Sequence, residues 1–297
     1  MTRMRGKHVG EPDGQPEVTG RPRRDAVGFV LRGIGQTLIT LGLVVLLFAV
    51  YEVWVTNIFA HRRQAKVTHQ VEQEWAQGTD PLLQLPSGKL KAHTGDGIAQ
   101  LYLPRLGSDY AWTIVEGSTV PSDGELERGP AHYGNTQLPG EDGNFAVAGH
   151  RVGKGEPFLN LDKLKAGDAV IVETAKTWYV YCVIGAPTSS PCDPKAAGAA
   201  LSKTDVNGVP GREIVSPSDG SVVLPVPSER SAPKPYTTAY LTLTTCTPKF
   251  SASQRMIVHA VLDPAYPEGI AKLAKGSGYS HAIPAQITAL YQRIGAL

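Results

Sequence analysis

Three cysteines, three methionines and four tryptophans are all that the 297 residues contain. So few, so scattered cysteines exclude a disulfide-stapled miniprotein, and a chain of this length can build a core without such staples. They form no cluster with metal-ligand spacing, and no cofactor or metal is assigned. An excess of one charge is missing as well, since 29 basic and 27 acidic residues leave a formal charge of +2. Residues 1–55 hold 7 basic and 5 acidic groups, and residues 56–297 hold 22 of each. A body so balanced has no basic footprint for nucleic acid. No repeat of 20–50 residues is present, which excludes solenoids and propellers. Glycine (32) and proline (23) are abundant instead. Their sum stays below the roughly 25–30% that marks a low-complexity chain, so the body reads as globular, turn-rich and strand-rich.

One stretch is unlike the rest. Gly33 to Tyr51 are 19 residues without a charge, and Leu41 to Val50 are almost entirely Leu, Val and Phe. At about 1.5 Å per residue the run spans roughly 28 Å, close to a hydrocarbon core of about 30 Å. It is expected to be a transmembrane helix. The run is followed by Trp54-Val55-Thr56-Asn57-Ile58-Phe59-Ala60 rather than by a small-residue cleavage site, so an uncleaved anchor is expected. Arg21, Arg23, Arg24 and Arg32 precede it, and Arg62, Arg63 and Lys66 follow it. That bias alone barely orients the helix. Upstream, the Gly, Pro, Arg and Glu mixture lacks apolar periodicity and reads as a disordered tail.

Past the anchor, Arg62 to Gly78 read as a polar helix lifting the rest off the membrane, and Pro86 to Gly97 as a linker. From Ile98 onward the texture is short apolar runs between turn residues. Strands are expected at Ala99–Leu103, Ala111–Val115, Asn144–Ala148, Ala169–Val172, Thr177–Ile184, Val222–Leu224, Tyr240–Cys246 and Met256–Leu262. Eight candidates with few helices indicate an all-β sandwich or closed barrel. Short helical connectors are expected at Asp123 to His132 and at Phe158 to Lys165. Pro284 to Leu297 has the pattern of an amphipathic helix.

The cysteines are Cys182, Cys192 and Cys246. An odd number leaves at least one thiol unpaired. Cys182 and Cys192 are expected to be either both free or paired with each other, with Cys246 left over. A lone cysteine ending an apolar strand is often a small buried hydrophobe, but here the neighbours matter. Loop residues Thr247 to Gln254 separate Cys246 from a strand opening with Arg255, so a hairpin returns Arg255 beside Cys246. A guanidinium there lowers a thiol pKa and can hold the oxyanion that forms when a thiolate attacks a carbonyl. His150, in the turn Gly149-His150-Arg151 after a strand, is the best candidate to carry the proton. His259 reads as a core or surface histidine and His132 as a helix-end residue.

Thr242-Leu-Thr-Thr-Cys246 with Arg255 nine residues on resembles the T-L-x-T-C…R motif of sortases, and Ala148-Gly-His150 resembles their histidine motif. The form T-L-T-T-C-x-P with F-S-A-x-x-R is most similar to class E sortases of high-GC Gram-positive bacteria. The resemblance covers roughly residues 98–265. It implies an eight-stranded sortase-type β-barrel with short helical connectors, preceded by one transmembrane helix. The implied division is a cytoplasmic tail (1–32), an anchor (33–55), a polar helix and linker (56–97), the catalytic domain (98–265) and a C-terminal extension (266–297). The implied activity is a cysteine transpeptidase. Cys246 attacks the Thr–Gly bond of an L-A-x-T-G or L-P-x-T-G sorting signal, His150 serves as acid and base, and Arg255 stabilises the oxyanion. Thr244 and Thr245 line the substrate groove. The implied partners are secreted proteins bearing C-terminal sorting signals, a peptidoglycan-precursor or pilin amine, and the membrane. The location is the cell membrane, single-pass, with the catalytic domain outside.

The sequence departs from that pattern in the roughly 35 residues between the strand ending near Ile184 and the candidate near Val222. Two other readings remain open: a different cell-wall cysteine peptidase using Cys246 with His259, or a non-catalytic anchored scaffold in which Cys246 is packing.

Overall fold

The computed structural model describes residues 22–51, 56–86, 90–185, 192, 200–201, 203–232, 234–276, 278–280 and 282–293. The chain forms two units, one ending at Val50 and one beginning at Tyr51. The first contains the helix α1 (Pro22–Val50). Its window Ala26–Val50 has a mean hydropathy of 2.2 with none of it buried, and is long and apolar enough to cross a membrane. The helix opens with Pro22, a residue whose fixed φ suits a first turn, so residues 22–32 are helical rather than tail. Residues 1–21 and 52–55 lie outside the described residues.

The second unit opens with α2 (Thr56–Ala76). Ala60, Gln64, Val67, Val71 and Trp75 are all buried and recur at spacings of three and four, which places them on one helical face. That face packs on the body, so the helix is a docked element and not a polar spacer. Gln64 shows how. Its amide donates to the Thr113 carbonyl at 3.2 Å and accepts from the Thr113 N–H. It thereby completes backbone groups that a neighbouring strand would otherwise satisfy.

The strands are β1 (Gly97–Tyr102), β2 (Ala111–Val115), β3 (Ala131–His132), β4 (Gly143–Ala148), β5 (Ala169–Glu173), β6 (Thr177–Val183), β7 (Arg212–Val215), β8 (Ala239–Thr247), β9 (Gln254–Leu262) and β10 (Ile270–Ala271). Among the described residues, eight of them close into a ring in the order β6-β5-β1-β2-β3-β4-β8-β9, with β9 pairing back onto β6. β7 extends the ring's β9 and β10 its β6 on the outside. A small hairpin of β11 (Ala274–Lys275) and β12 (Gly278–Tyr279) follows. The barrel is filled by Leu101, Ile114, Phe145, Val147, Val170, Val172, Tyr181, Leu241, Leu243, Val258 and their neighbours. These are alternate residues of each strand, as the two-residue period requires.

Three expectations need correction here. Val222–Leu224 is not a strand but the end of a 3-10 turn, Gly220–Val223, that lies against β4. The Asn144 amide there donates to the Val222 and Leu224 carbonyls. The expected helix at Asp123 to His132 is one turn, α3 (Asp123–Leu126), followed by β3. β3 has only two residues, too few to show a period. Phe158 to Lys165 holds one 3-10 turn, Leu161–Lys163. The C-terminal helix is present as α4 (Ala285–Arg293), burying Ile287, Leu290 and Tyr291. It covers Ala169, Ile171, Trp178, Val180 and the Cys182–Cys192 disulfide on the outside of β5 and β6.

Candidate active site

β4 and β8 run parallel, with Ala148 opposite Thr244. β8 and β9 run antiparallel, with Cys246 opposite Arg255. Since successive side chains alternate sides, the interior residues Phe145, Leu243 and Val258 fix what faces out. The outward set is Asn144 on β4, Thr242, Thr244 and Cys246 on β8, and Arg255 and His259 on β9. His150 stands two residues past Ala148 and Cys246 two past Thr244, so the β4–β8 register carried forward sets them level. Cys246 and Arg255 therefore face each other at one end of this outer face, and the turn that carries His150 follows the end of the neighbouring β4.

The turn that carries His150 is bound to β8. The Gly149 N–H donates to the Thr244 carbonyl at 3.0 Å, and the Thr245 hydroxyl donates to the Gly149 carbonyl at 2.8 Å. Thr245 is 2% exposed and alternates to the side opposite Thr244, so it holds the turn instead of lining the groove. Arg151 continues the clamp. Its guanidinium donates to the Thr247 hydroxyl at 2.7 Å and to the Cys246 carbonyl at 3.4 Å, and it pairs with Asp162 at 3.1 Å.

Cys246 is a free thiol, half-buried. The Arg255 guanidinium donates to the Ala252 and Gln254 carbonyls at 3.1 and 3.2 Å. The β8–β9 turn thus holds a fixed cation next to the thiol's strand position. His150 has a buried Nε2 that makes no hydrogen bond among the described residues. Burial pushes its pKa below the ordinary imidazole value, and the Lys154 cation adds to this while Asp123 and Glu127 oppose it. The imidazole is therefore held towards its neutral form, ready to accept a proton.

Tyr133 belongs to the site but is not apparent from sequence. Its hydroxyl lies 2.9 Å from Thr244 Oγ1. Burial raises its pKa, while the Thr244 bond and the Arg255 charge pull it down and Cys246 pushes it up. A lone tyrosine after a two-residue strand carries no sequence signal. His259 is fully buried, with Nε2 3.0 Å from Glu213 and Nδ1 2.9 Å from Thr242 Oγ1. It belongs to the floor of the face, and its Glu213 and Thr242 partners leave it no free nitrogen for Cys246. His132 is buried beside Glu116 at 2.9 Å.

A free cysteine thus faces an arginine across a hairpin, and a histidine stands in the turn after the neighbouring parallel strand. The sortase-domain profile matches residues 101–263. The chain belongs to the sortase family. Sortases are cysteine transpeptidases. The chain is 35% identical over 233 residues to sortase SrtE1 of Streptomyces coelicolor, an alignment covering 76% of this chain and 55% of that one. It is 32% identical to SrtE2 of the same organism, covering 76% and 79%. The chain thus spans about half the length of SrtE1 and most of SrtE2. Among solved structures, the SrtF sortase from Corynebacterium diphtheriae aligns with a TM-score of 0.54 and 40% identity, covering 68% of this chain and 97% of that one.

Proposed function

We propose that this chain is a membrane-anchored transpeptidase of class E type that cleaves a sorting signal, L-A-x-T-G or L-P-x-T-G, between Thr and Gly. The observation that supports the reading is the pairing of Cys246 with Arg255 on adjacent strands, with His150 in the turn after β4 that is hydrogen-bonded to β8.

The steps follow from the residues. Cys246 gives its proton to the His150 imidazole, and the thiolate attacks the threonine carbonyl carbon. The oxygen of the tetrahedral intermediate takes up negative charge, which the Arg255 guanidinium meets. Collapse breaks the C–N bond, and His150 returns its proton to the departing glycine nitrogen. The thioacyl-enzyme is then attacked by an amine, which loses its proton to His150, and Cys246 is released as the thiol. A peptidoglycan-precursor or pilin amine is the acceptor we assign. Thr244 lies on the face that would receive the peptide. The apolar span of α1 supports a single-pass anchor, N-terminus inside and barrel outside, where secreted substrates and cell-wall amines are found.

Incubating the full chain with a panel of sorting peptides and amines tests the reading. Intact mass should show a thioacyl adduct on Cys246 and amine-dependent ligation. Absence of both across the panel would overturn it. Protease added to intact protoplasts should digest the barrel; protection would reverse the topology.

A further inference from the structure

The loop that carries His150 closes on itself, the Phe158 N–H donating to the His150 carbonyl at 3.0 Å with the Phe158 ring fully buried. Inside this closure, Gly153, Lys154, Gly155 and Glu156 have φ of 70°, 54°, 90° and 55°. Four consecutive residues are thus left-handed. Glycine accepts this freely, but Lys154 and Glu156 carry a Cβ that crowds the following carbonyl there. Such a run persists only where its surroundings over-determine it.

Much of what holds it comes from α2, distant in sequence. Asn57 Oδ1 accepts from the Gly155 N–H at 2.9 Å, and Asn57 Nδ2 donates to Glu156 Oε1 at 3.1 Å. The same Glu156 oxygen accepts from the Gly153 N–H at 3.0 Å. One side chain of α2 therefore grips Gly155 and Glu156, and Glu156 in turn holds Gly153. The helix also lies close against the loop backbone, since a Cβ on Gly155 would come within 3.1 Å of the Ala60 Cβ. A second tie runs through charge. Lys154 lies 3.5 Å from Asp123 and 3.4 Å from Glu127, and Glu127 accepts from Arg63 of α2 at 2.6 Å.

We infer that Asn57 is a positioning residue for His150: α2, the helix that follows the apolar span in sequence, sets the shape of the catalytic loop and so the place and burial of the imidazole. The inference deepens the proposed mechanism and rests on His150 being its proton carrier. Removing the grip lets water reach the imidazole and lets Lys154 move off, and each change raises the His150 pKa toward its ordinary value. Asp123 and Glu127, the other charged groups that act on His150, stay on and beside α3 and push the same way.

The test uses the full chain in detergent, with imidazole NMR titration of His150, assigned by the signal lost in His150→Gln. In Asn57→Ala the His150 midpoint should rise, and turnover of the sorting peptide should fall about ten- to a hundredfold, with the acid limb of its pH profile moved upward. Glu156→Ala breaks the same bond from the loop side and should reproduce both effects, which keeps the test alive if Asn57→Ala does not fold. Glu156→Gln keeps an oxygen facing both donors and should match wild type. The double variant should lose less than the two singles combined, the mark of the Asn57–Glu156 bond they share. An unmoved His150 titration in both alanine variants overturns the inference, even where turnover drops, because it would show general destabilisation. Wild-type protein that cleaves no sorting peptide would instead sink the proposed function, and the titration would still decide whether Asn57 positions the loop.

Discussion

The outside of the barrel has two differently built faces. On β5 and β6 the side chains that leave the barrel are Ala169, Ile171, Trp178, Val180 and Cys182, and α4 covers them with Ile287, Leu290 and Tyr291. On β4, β8 and β9 the outward side chains are Asn144, Thr242, Thr244, Cys246, Arg255 and His259. Several of these are as buried as the apolar set: Asn144, Thr242 and His259 are all at 0% exposure. Burying polar groups is unfavourable unless each is paired, and here each has a partner. The apolar face therefore holds the fold together, while the polar face spends burial on fixing positions. The two should respond oppositely to substitution.

The largest expected contrast is at Cys246. Cys246→Ala should abolish peptide cleavage and thioacyl formation while leaving the melting temperature within a few degrees of wild type, because the thiol is half-exposed and leaves no cavity. Alkylation without reductant should modify Cys246 alone, since Cys182 and Cys192 are joined under α4. Turnover by the alanine variant would remove the nucleophile assignment.

Next is Arg255→Lys. Lysine keeps the charge but loses the planar fork that can engage two oxygens. If the fork grips the developing oxyanion, single-turnover acylation should fall about 10²- to 10³-fold, or roughly 2.7–4 kcal/mol. Alkylation of Cys246 by iodoacetamide should stay near normal. Equal acylation in both proteins would show that charge alone suffices.

On the covered face the signs reverse. Leu290→Ala should remove about 2–3 kcal/mol of stability by leaving a cavity between α4 and the sheet, lowering the melting temperature by several degrees. Alkylation of Cys246 and acylation at 25 °C should not change. A loss of acylation with stability intact would join the two faces in a way their separate packing does not suggest.

How legible each face was in the sequence follows from its build. β6, β8 and β9 were visible because long runs of β-branched and aromatic residues fill both sides of the strand. The pairing of Cys246 with Arg255 was legible because a hairpin converts sequence spacing directly into register, and the turn with His150 because it follows a well-marked strand. β3 is too short for a period, and β7 alternates partly exposed residues on the barrel's outside. α2 hid its buried face because Gln64 sits in the middle of it and charges flank it, so its average reads as polar. The apolar Val222–Leu224 segment looked like a strand but packs as a lid on Asn144. Tyr133 and Asn57 act only through partners 111 and 98–99 residues away, and nothing local marks such residues.

The smallest expected effect, and the one that best separates the faces, is acid. His259 is fully buried, and burial lowers its pKa below the ordinary imidazole value, with Glu213 only partly opposing this. Glu213 in turn is held below the usual carboxylate range chiefly by its bond to His259. Both shifts have the same sign for stability. The unfolded chain binds a proton at His259 more readily than the folded one, so stability falls as pH drops through about 6.5 toward the folded value, and protonation of Glu213 extends the loss at lower pH. His150 contributes in the same direction. Because Glu213 lies on β7 and Thr242 touches Asn144, which holds the Val222 and Leu224 carbonyls, acid should loosen that segment and β7 first. Hydrogen exchange across pH 7 to 5 should show protection lost at 212–224 while α4, β5 and β6 keep theirs. His259→Gln removes the titrating group, so the part of the acid response that persists in it belongs to His150 and Glu213. An acid response that starts under α4 would show that the polar face is not the pH-sensitive one.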